Sequence, residues 1–186
     1  MKRRALLTLG AGMAAFVLAG HRPVLADLEP DRMWSIYRRY SLLIVGQRDD
    51  EVASAFAGAA VDVLARFLPT SRARLVRAAD TRRVGVLIGT HQQDVAIMTT
   101  ESAQALCLAN PPFDDIRNVQ LRLIVSFGGH VLVCRPDFMG RHAYLLAQTL
   151  VKHKDTLPTP AGAPEGAIPV HRGSQAFFAG EEMPND

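Results

Sequence analysis

The chain lacks the residue spacings that mark metal centres. It has two cysteines in 186 residues, Cys107 and Cys134, and their spacing matches no metal-binding motif. Its six histidines form no HxH or HxxxH pair. We therefore predict no metal site and no cofactor.

A catalytic constellation is also missing from the sequence. Nucleophilic or acid–base catalysis needs a nucleophile beside a base, or paired carboxylates in a cleft. Neither cysteine has such a partner nearby in the sequence. We expect His130 at an exposed turn and His171 in a hydrogen bond that holds the C-terminal tail. The sequence therefore predicts a protein that is not an enzyme.

No uncharged apolar run reaches the length of a membrane-spanning helix. The run Ala5–Gly20 has about 16 residues, whereas a span needs roughly 20. It follows Lys2-Arg3-Arg4 and precedes Val24-Leu25-Ala26, which is the pattern of a secretory signal. We predict that residues 1–26 are a signal peptide cleaved near Ala26 and that the protein is periplasmic. The Sec and twin-arginine export routes both stay open.

Positive charge is concentrated in that leader. The whole chain has 21 basic and 18 acidic residues, and the leader contains four of the basic ones and none of the acidic ones. The remainder, 21 − 4 = 17 basic against 18 acidic residues, has a net charge near −1. It also has no basic stretch interleaved with aromatics, so we predict no nucleic-acid partner.

Beyond the leader, short apolar runs alternate with amphipathic segments. A first strand is predicted at 41–46, followed by a helix with apolar positions from Val52 to Phe67 and an N-cap at Asp49 or Asp50. Residues 28–40 form a short helix or an irregular arm. Further strands are predicted at 73–78, 95–98, 119–126 and 131–134, and further helices at 81–89, in the run ending at Ala109, and at 139–154. This order predicts one α/β domain over 27–186, with a three-layer, mainly parallel sheet and helices on both faces.

The stretch 93–109 carries the clearest candidate for a binding site. A strand ends there, two threonines follow, and a helix begins, so the hydroxyls could cap the helix or help to hold a small anion. Ligands of open α/β sheets bind outside the carboxyl ends of the strands. The candidate ligand-binding residues at these ends are Gly46, Gln47, Arg48, Thr99, Thr100 and Ser126.

Two local patterns resemble a known family. Leu87-Ile88-Gly89 leads to Asp94-Val95-Ala96-Ile97, and Ile168-Pro169-Val170-His171-Arg172-Gly173-Ser174 is followed by Phe177-Phe178. Both are similar to patterns of the TAXI-family solute receptors of TRAP transporters. The resemblance implies a type II periplasmic-binding-protein fold and the binding of small carboxylates by closure of two lobes.

The resemblance covers residue 41 to the end, as one lobe only. Where the family has its second lobe, this chain passes straight through Arg135-Pro136-Asp137-Phe138. The family's Gly-rich turn after the first strand is replaced by Gly46-Gln47-Arg48-Asp49-Asp50. We expect a single lobe, with 157–167 as a Pro/Ala/Gly linker to a C-terminal tail anchored by Phe177 and Phe178.

Two hypotheses for function follow. In the first, the lobe binds a small polar or anionic solute, alone or across a homodimer, in connection with TRAP-type transport. In the second, it has lost its ligand and is a periplasmic adaptor for a protein partner, such as a membrane transporter. Cys107 and Cys134 leave a disulfide and two buried thiols as equal alternatives.

Overall fold

The computed structural model describes residues 41–116 and 119–186. The predicted signal peptide (1–26) and the arm at 28–40 lie outside these ranges. Within them, no helix has both the length and the apolar character needed to cross a membrane.

Five strands form one mixed sheet in the order β2-β1-β3-β5-β4. The strands are β1 (Leu43–Gln47), β2 (Arg74–Ala78), β3 (Val95–Thr99), β4 (Arg122–Phe127) and β5 (His130–Cys134). β1 is parallel to β2 and β3, whereas β5 is antiparallel to both β3 and β4. Four strands therefore run in one direction, but half of the pairings are antiparallel, because the Gly128-Gly129 turn reverses the chain.

Helices cover both faces of this sheet, which confirms an α/β fold. They are α1 (Glu51–Phe67), α2 (Thr81–Gly89), α3 (Thr100–Leu108), α4 (Gly140–Lys152) and α5 (Arg172–Ala179). Alternate strand residues face opposite sides of a sheet. Ile44 and Ile97 accordingly pack with α1 and α4, whereas Val45 and Met98 pack with α2 and α3.

Helix α1 begins where the sequence predicts. The side chain of Asp50, not that of Asp49, accepts a hydrogen bond from the Ala53 amide at 2.9 Å. The helix lies close to β1, because a Cβ on Gly46 would meet the Cβ of Ala57 at 2.8 Å. Gly46 therefore serves the packing of a helix on a strand.

The segment 157–167, predicted as a linker, runs beside β4. Ser126 and Gly162 exchange two backbone hydrogen bonds, of 3.2 and 2.9 Å. Further along, the Leu123 amide donates to the Pro169 carbonyl at 3.0 Å, and the His171 amide donates to the Leu123 carbonyl at 2.8 Å. The segment thus connects α4 to α5 and also covers the outer edge of β4.

His171 ties the C-terminal helix to the rest of the domain, as the sequence predicts. Its Nε2 donates to the Phe138 carbonyl oxygen at 2.8 Å, and its Nδ1 accepts from the Gly173 amide at 3.2 Å. The second contact requires the neutral ring, because a protonated Nδ1 cannot accept a hydrogen bond. Burial is the main cause that lowers the pKa of His171 below its ordinary value.

Cys107 and Cys134 are both free thiols. Cys134 packs in the cluster with α1 and α4, whereas Cys107 packs against the cluster with α2 and α3. The sheet lies between the two thiols, so a disulfide cannot form. Burial raises the pKa of both, and it raises that of Cys134 more strongly.

The contact between α4 and α5 can be tested at a single glycine. A Cβ on Gly173 would overlap the carbonyl group of Gly140. We expect Gly173→Ala to lower the free energy of unfolding by about 3 kcal/mol or more, because the α4 backbone must move. Gly58→Ala is the matched control. A Cβ there meets no atom within 4 Å, so that variant should gain roughly 0.5–1 kcal/mol. If urea denaturation gave the same change in the free energy of unfolding for both variants, the close contact of α4 with α5 would be contradicted.

The neutral His171 ring predicts a pH dependence of stability. Its lowered pKa means that the unfolded chain takes up a proton before the folded one. The free energy of unfolding should therefore carry no penalty from His171 above the ordinary histidine pKa of 6.5, and it should fall as the pH decreases below that value. His171→Gln should show a smaller loss of thermal stability between about pH 7 and pH 5. His91→Asn, at an exposed position, should keep the wild-type slope.

Candidate functional site

The six predicted binding residues lie at one edge of the sheet. β1, β3 and β4 run in the same direction, so their carboxyl ends lie along the same end of the sheet. We call this end the strand-end edge, as distinct from the free sides of the outer strands. β2 lies on one side of β1 and β3 on the other. The ends of β1 and β3 therefore flank a topological switch point, where open α/β sheets bind ligands.

A chain of polar side chains connects four elements at this edge. The Thr81 hydroxyl donates to Gln47 Oε1 at 2.6 Å, and Gln47 Nε2 donates to Asp50 Oδ2 at 3.2 Å. His130 Nε2 lies 3.1 Å from the same carboxylate oxygen. We call Thr81, Gln47, Asp50 and His130 the strand-end network. It joins α2, β1, the N-terminus of α1 and β5.

Asp50 is the charged centre of the strand-end network. Partial burial acts to raise its pKa, but the Ala53 amide and His130 act in the opposite direction, and the pKa is lowered overall. The carboxylate is therefore ionised at neutral pH. The His130 side chain, 15% exposed, packs beside Phe56 with the ring centroids 5.4 Å apart. The prediction of an exposed histidine at this turn is thus wrong, because the ring turns back onto α1.

The two threonines use their polar groups internally. Thr99 caps α3, since its Oγ1 accepts from the Ser102 amide at 3.1 Å and donates to Ser102 Oγ at 2.8 Å. The Thr100 amide and hydroxyl both donate to the Gly129 carbonyl, at 3.0 and 3.3 Å. The cap interpretation therefore holds for Thr99, whereas Thr100 ties α3 to the Gly128-Gly129 turn.

Ser126 and Arg48 have opposite environments. Ser126 is 7% exposed, and its Oγ accepts a hydrogen bond from the Glu165 amide at 3.0 Å, so the C-terminal segment covers it. The Arg48 side chain is exposed and has no hydrogen-bond or ion-pair partner within the described ranges. Of the six predicted residues, Arg48 offers the free charge.

The clefts on the described surface include three of note. The first, about 570 Å³, runs along the outer face of α1 and is lined by Arg48, Glu51, Ser54, Ala55, Gly58, Ala59, Asp62 and Arg77. The second, about 340 Å³, lies at the opposite edge of the sheet, where Arg135 and Asp137 meet. The third, about 590 Å³, is mostly apolar and includes Phe178. Arg48 lines the first cleft, and the other five predicted residues line none of the three.

The place expected for a second lobe is far from this site. β5 is antiparallel, so the connection 135–138 leaves the sheet at the edge where β3 begins. The Arg135 amide there donates to the Asp94 carbonyl at 3.1 Å. A lobe inserted at 135–138 would therefore lie away from the strand ends. The connection beside the strand-end network is the turn at Gly128-Gly129.

The strand-end network brings the Asp50 carboxylate and the His130 ring together. In the described ranges, Asp50 is the hydrogen-bond partner of His130, and no serine, threonine or cysteine bonds to that ring. The same ranges contain no group of three or more His, Cys, Asp or Glu residues that could hold a metal ion. The arrangement can hold a fixed charge pattern beside a bound molecule.

Sequence reasoning missed Asp50, Thr81 and His130 as members of the site. Asp50 and His130 are 80 positions apart, and Thr81 lies 34 positions from Gln47. Asp50 was assigned to a helix cap, which it also forms. The available signal was that three of the predicted strands end at polar residues.

Comparisons with known proteins identify no relative. No protein-family model matches the chain, and no curated protein is significantly similar to it. The functional argument therefore rests on the residues of the strand-end edge.

The strand-end network can be tested through adjacent aspartates. We expect Asp50→Ala to lower the free energy of unfolding by about 1–2 kcal/mol, since it removes a helix cap and leaves Gln47 and His130 without their acceptor. Asp49→Ala, at an exposed position, should change it by less than about 0.5 kcal/mol. The pKa of Asp50 is lowered from 3.8. The difference between wild type and Asp50→Ala should therefore be present above that pH and should disappear as the pH falls through the lowered pKa. A difference that persists in acid would contradict an ionised Asp50.

Proposed function

We propose that this chain is an exported, non-catalytic binding protein whose strand-end edge forms one half of a binding site for a small polar or anionic solute. A second body supplies the other half. The proposal follows the resemblance to one lobe of a TAXI-type receptor of the type II periplasmic-binding-protein fold. It includes a periplasmic location and a link to TRAP-type transport.

One observation carries the proposal, namely the arrangement of charge at the switch point. The strand-end network holds Gln47, Asp50 and His130 in place. Arg48 follows Gln47 in the chain, and its exposed side chain lines the cleft along α1. A guanidinium recognises carboxylates and phosphates through paired hydrogen bonds. The adjacent carboxylate favours a solute that also carries a donor group.

Half a site is proposed because the edge does not enclose a solute alone. Thr99, Thr100 and Ser126 have internal partners, and the cleft beside Arg48 is open and runs along the outside of α1. Binding pockets bury most of a ligand's surface. Closure against a second copy of the chain or against a transporter component would provide that burial.

The second candidate is an adaptor that binds no solute and contacts a protein partner through the same edge. It is favoured by the internal bonding of Thr99, Thr100 and Ser126, which leaves few free donors for a small ligand. Under this hypothesis the strand-end network keeps the contact surface rigid.

The two candidates differ in the mass of the purified protein. We expect native mass spectrometry of protein isolated from the periplasm to show bound mass of small-molecule size, which is lost on denaturation. Arg48→Ala should reduce the occupied fraction at least about fivefold, because it removes the free charge. Arg66→Ala, the same change on the exposed side of α1, should leave occupancy unchanged.

Each outcome has a defined meaning. Occupancy that is equal in Arg48→Ala and wild type would place the solute elsewhere and contradict the half-site. Bare protein that co-purifies with a protein partner, with an interaction weakened by Arg48→Ala, would support the adaptor. Solute found only in a dimer would identify the second body as another copy.

A further inference from the structure

The two outer strands of the sheet differ in whether another segment covers their free edge. The outer edge of β4 is covered by residues 162–171 through backbone hydrogen bonds. β2, at the other end of the sheet, pairs with β1 alone among the described residues. One edge is therefore closed and the other is open.

The backbone groups on the open edge can be assigned from the register. The Arg74 amide donates to the Leu42 carbonyl at 2.8 Å, and the Ala78 carbonyl accepts from the Arg48 amide at 3.0 Å. In such a ladder, residues 74, 76 and 78 direct their amide and carbonyl groups toward β1. Leu75 and Arg77 direct theirs outward, and none of these groups has a partner within the described ranges. Outward groups of this kind are a template for an added strand.

The positive charge of β2 favours an acidic partner strand over a second copy of the chain. Both exposed side chains of β2, Arg74 and Arg77, are cationic, and neither has an ion-pair partner among the described residues. Two copies paired through β2 would bring four guanidinium groups to one seam with no acid on either strand, which is unfavourable. An incoming strand with acidic side chains would pair with them.

The space beside the edge fits an added strand. Arg77 opens onto the 570 Å³ cleft along α1, whose floor includes Ala55, Gly58 and Ala59. A Cβ on Gly58 would meet no atom within 4 Å. This small-residue surface leaves room for the side chains of a strand beside β2. Glu51 and Asp62 also line the cleft, so the acidic residues of the partner belong opposite Arg74 and Arg77.

We propose that β2 binds an extended acidic segment of another protein by strand addition, using the outward backbone groups of Leu75 and Arg77 and the charges of Arg74 and Arg77. The interaction needs neither the strand-end network nor a bound solute, but Arg77 and Arg48 line the same cleft, so the two binding sites are neighbours.

The test uses a synthetic valine peptide of about eight residues, the length of a strand, with glutamates three positions apart, so that they face Arg74 on one side of the sheet and Arg77 on the other. Glutamine–valine and lysine–valine peptides of the same length are controls. We expect the glutamate peptide to bind the exported protein about threefold or more tightly than the glutamine peptide, with affinity that falls as salt rises. Hydrogen exchange at the Leu75 and Arg77 amides should be fast in the free protein and slow in the complex.

Three substitutions separate charge from backbone pairing. Arg77→Gln should weaken binding of the glutamate peptide about two- to fivefold and reduce its salt dependence. Arg77→Pro should abolish strand addition, because it removes the outward amide while the ladder to β1 keeps its own bonds. Arg66→Gln should bind as wild type. If Arg77→Pro does not fold, the double variant Arg74→Glu, Arg77→Glu should reverse the preference toward the lysine peptide.

Four results would overturn the proposal. The first is equal affinity for the glutamate and lysine peptides, and the second is unchanged peptide binding by Arg77→Pro. The third is protection of the Leu75 and Arg77 amides from hydrogen exchange in the free monomer, which would mean that the chain itself occupies the edge. The fourth is a dimer whose formation protects those amides, which would identify a second copy as the occupant. None of these results would contradict the proposed solute half-site, because that proposal is tested by the mass of bound solute.

Discussion

Closure of the β4 edge is the constraint on which much of the domain depends. Strand edges expose unpaired amide and carbonyl groups, and here residues 162–171 satisfy those of β4. The chain leaves that edge directly into α5, which packs on α4 through the close contact of Gly140 and Gly173. His171 then fixes the approach through the Phe138 carbonyl. The pattern 168–174 is therefore a structural device, and the same closure withdraws Ser126 from solvent.

The strand-end network places a second constraint, on function. A buried polar group costs free energy unless it is bonded, and Gln47, 4% exposed, is satisfied by Thr81 on one side and Asp50 on the other. These bonds fix the positions of α1 and α2 relative to β1. They also use up polar atoms that a ligand would otherwise bond. A rigid edge with one free guanidinium is suited to contribute charge to a shared site.

The sequence was informative where the signal is local. Apolar runs located all five strands to within about three residues, and Asp50 and Thr99 cap helices as their positions suggest. The direction of β5 was not predicted, because an apolar run of five residues does not show whether the strand pairs parallel or antiparallel with its neighbours. Nor was the contact of Asp50 with His130, since 80 intervening positions leave no local pattern. Val52, an apolar position of the predicted helix, is 52% exposed because the buried side of α1 begins at Ala53.

The net charge of residues 27–186, near −1, hides the separation of charge on the folded surface. The acid that follows β2 in the sequence, Asp80, is already engaged as the cap of α2, and Asp115 pairs with Arg82. The guanidinium groups of β2 therefore keep their charge available, although the composition is balanced. Arg48 and Arg77 line one cleft, so an acidic strand on β2 would lower the positive potential at Arg48 and weaken the binding of an anionic solute beside it. By linkage, the solute would weaken binding of the strand to the same extent.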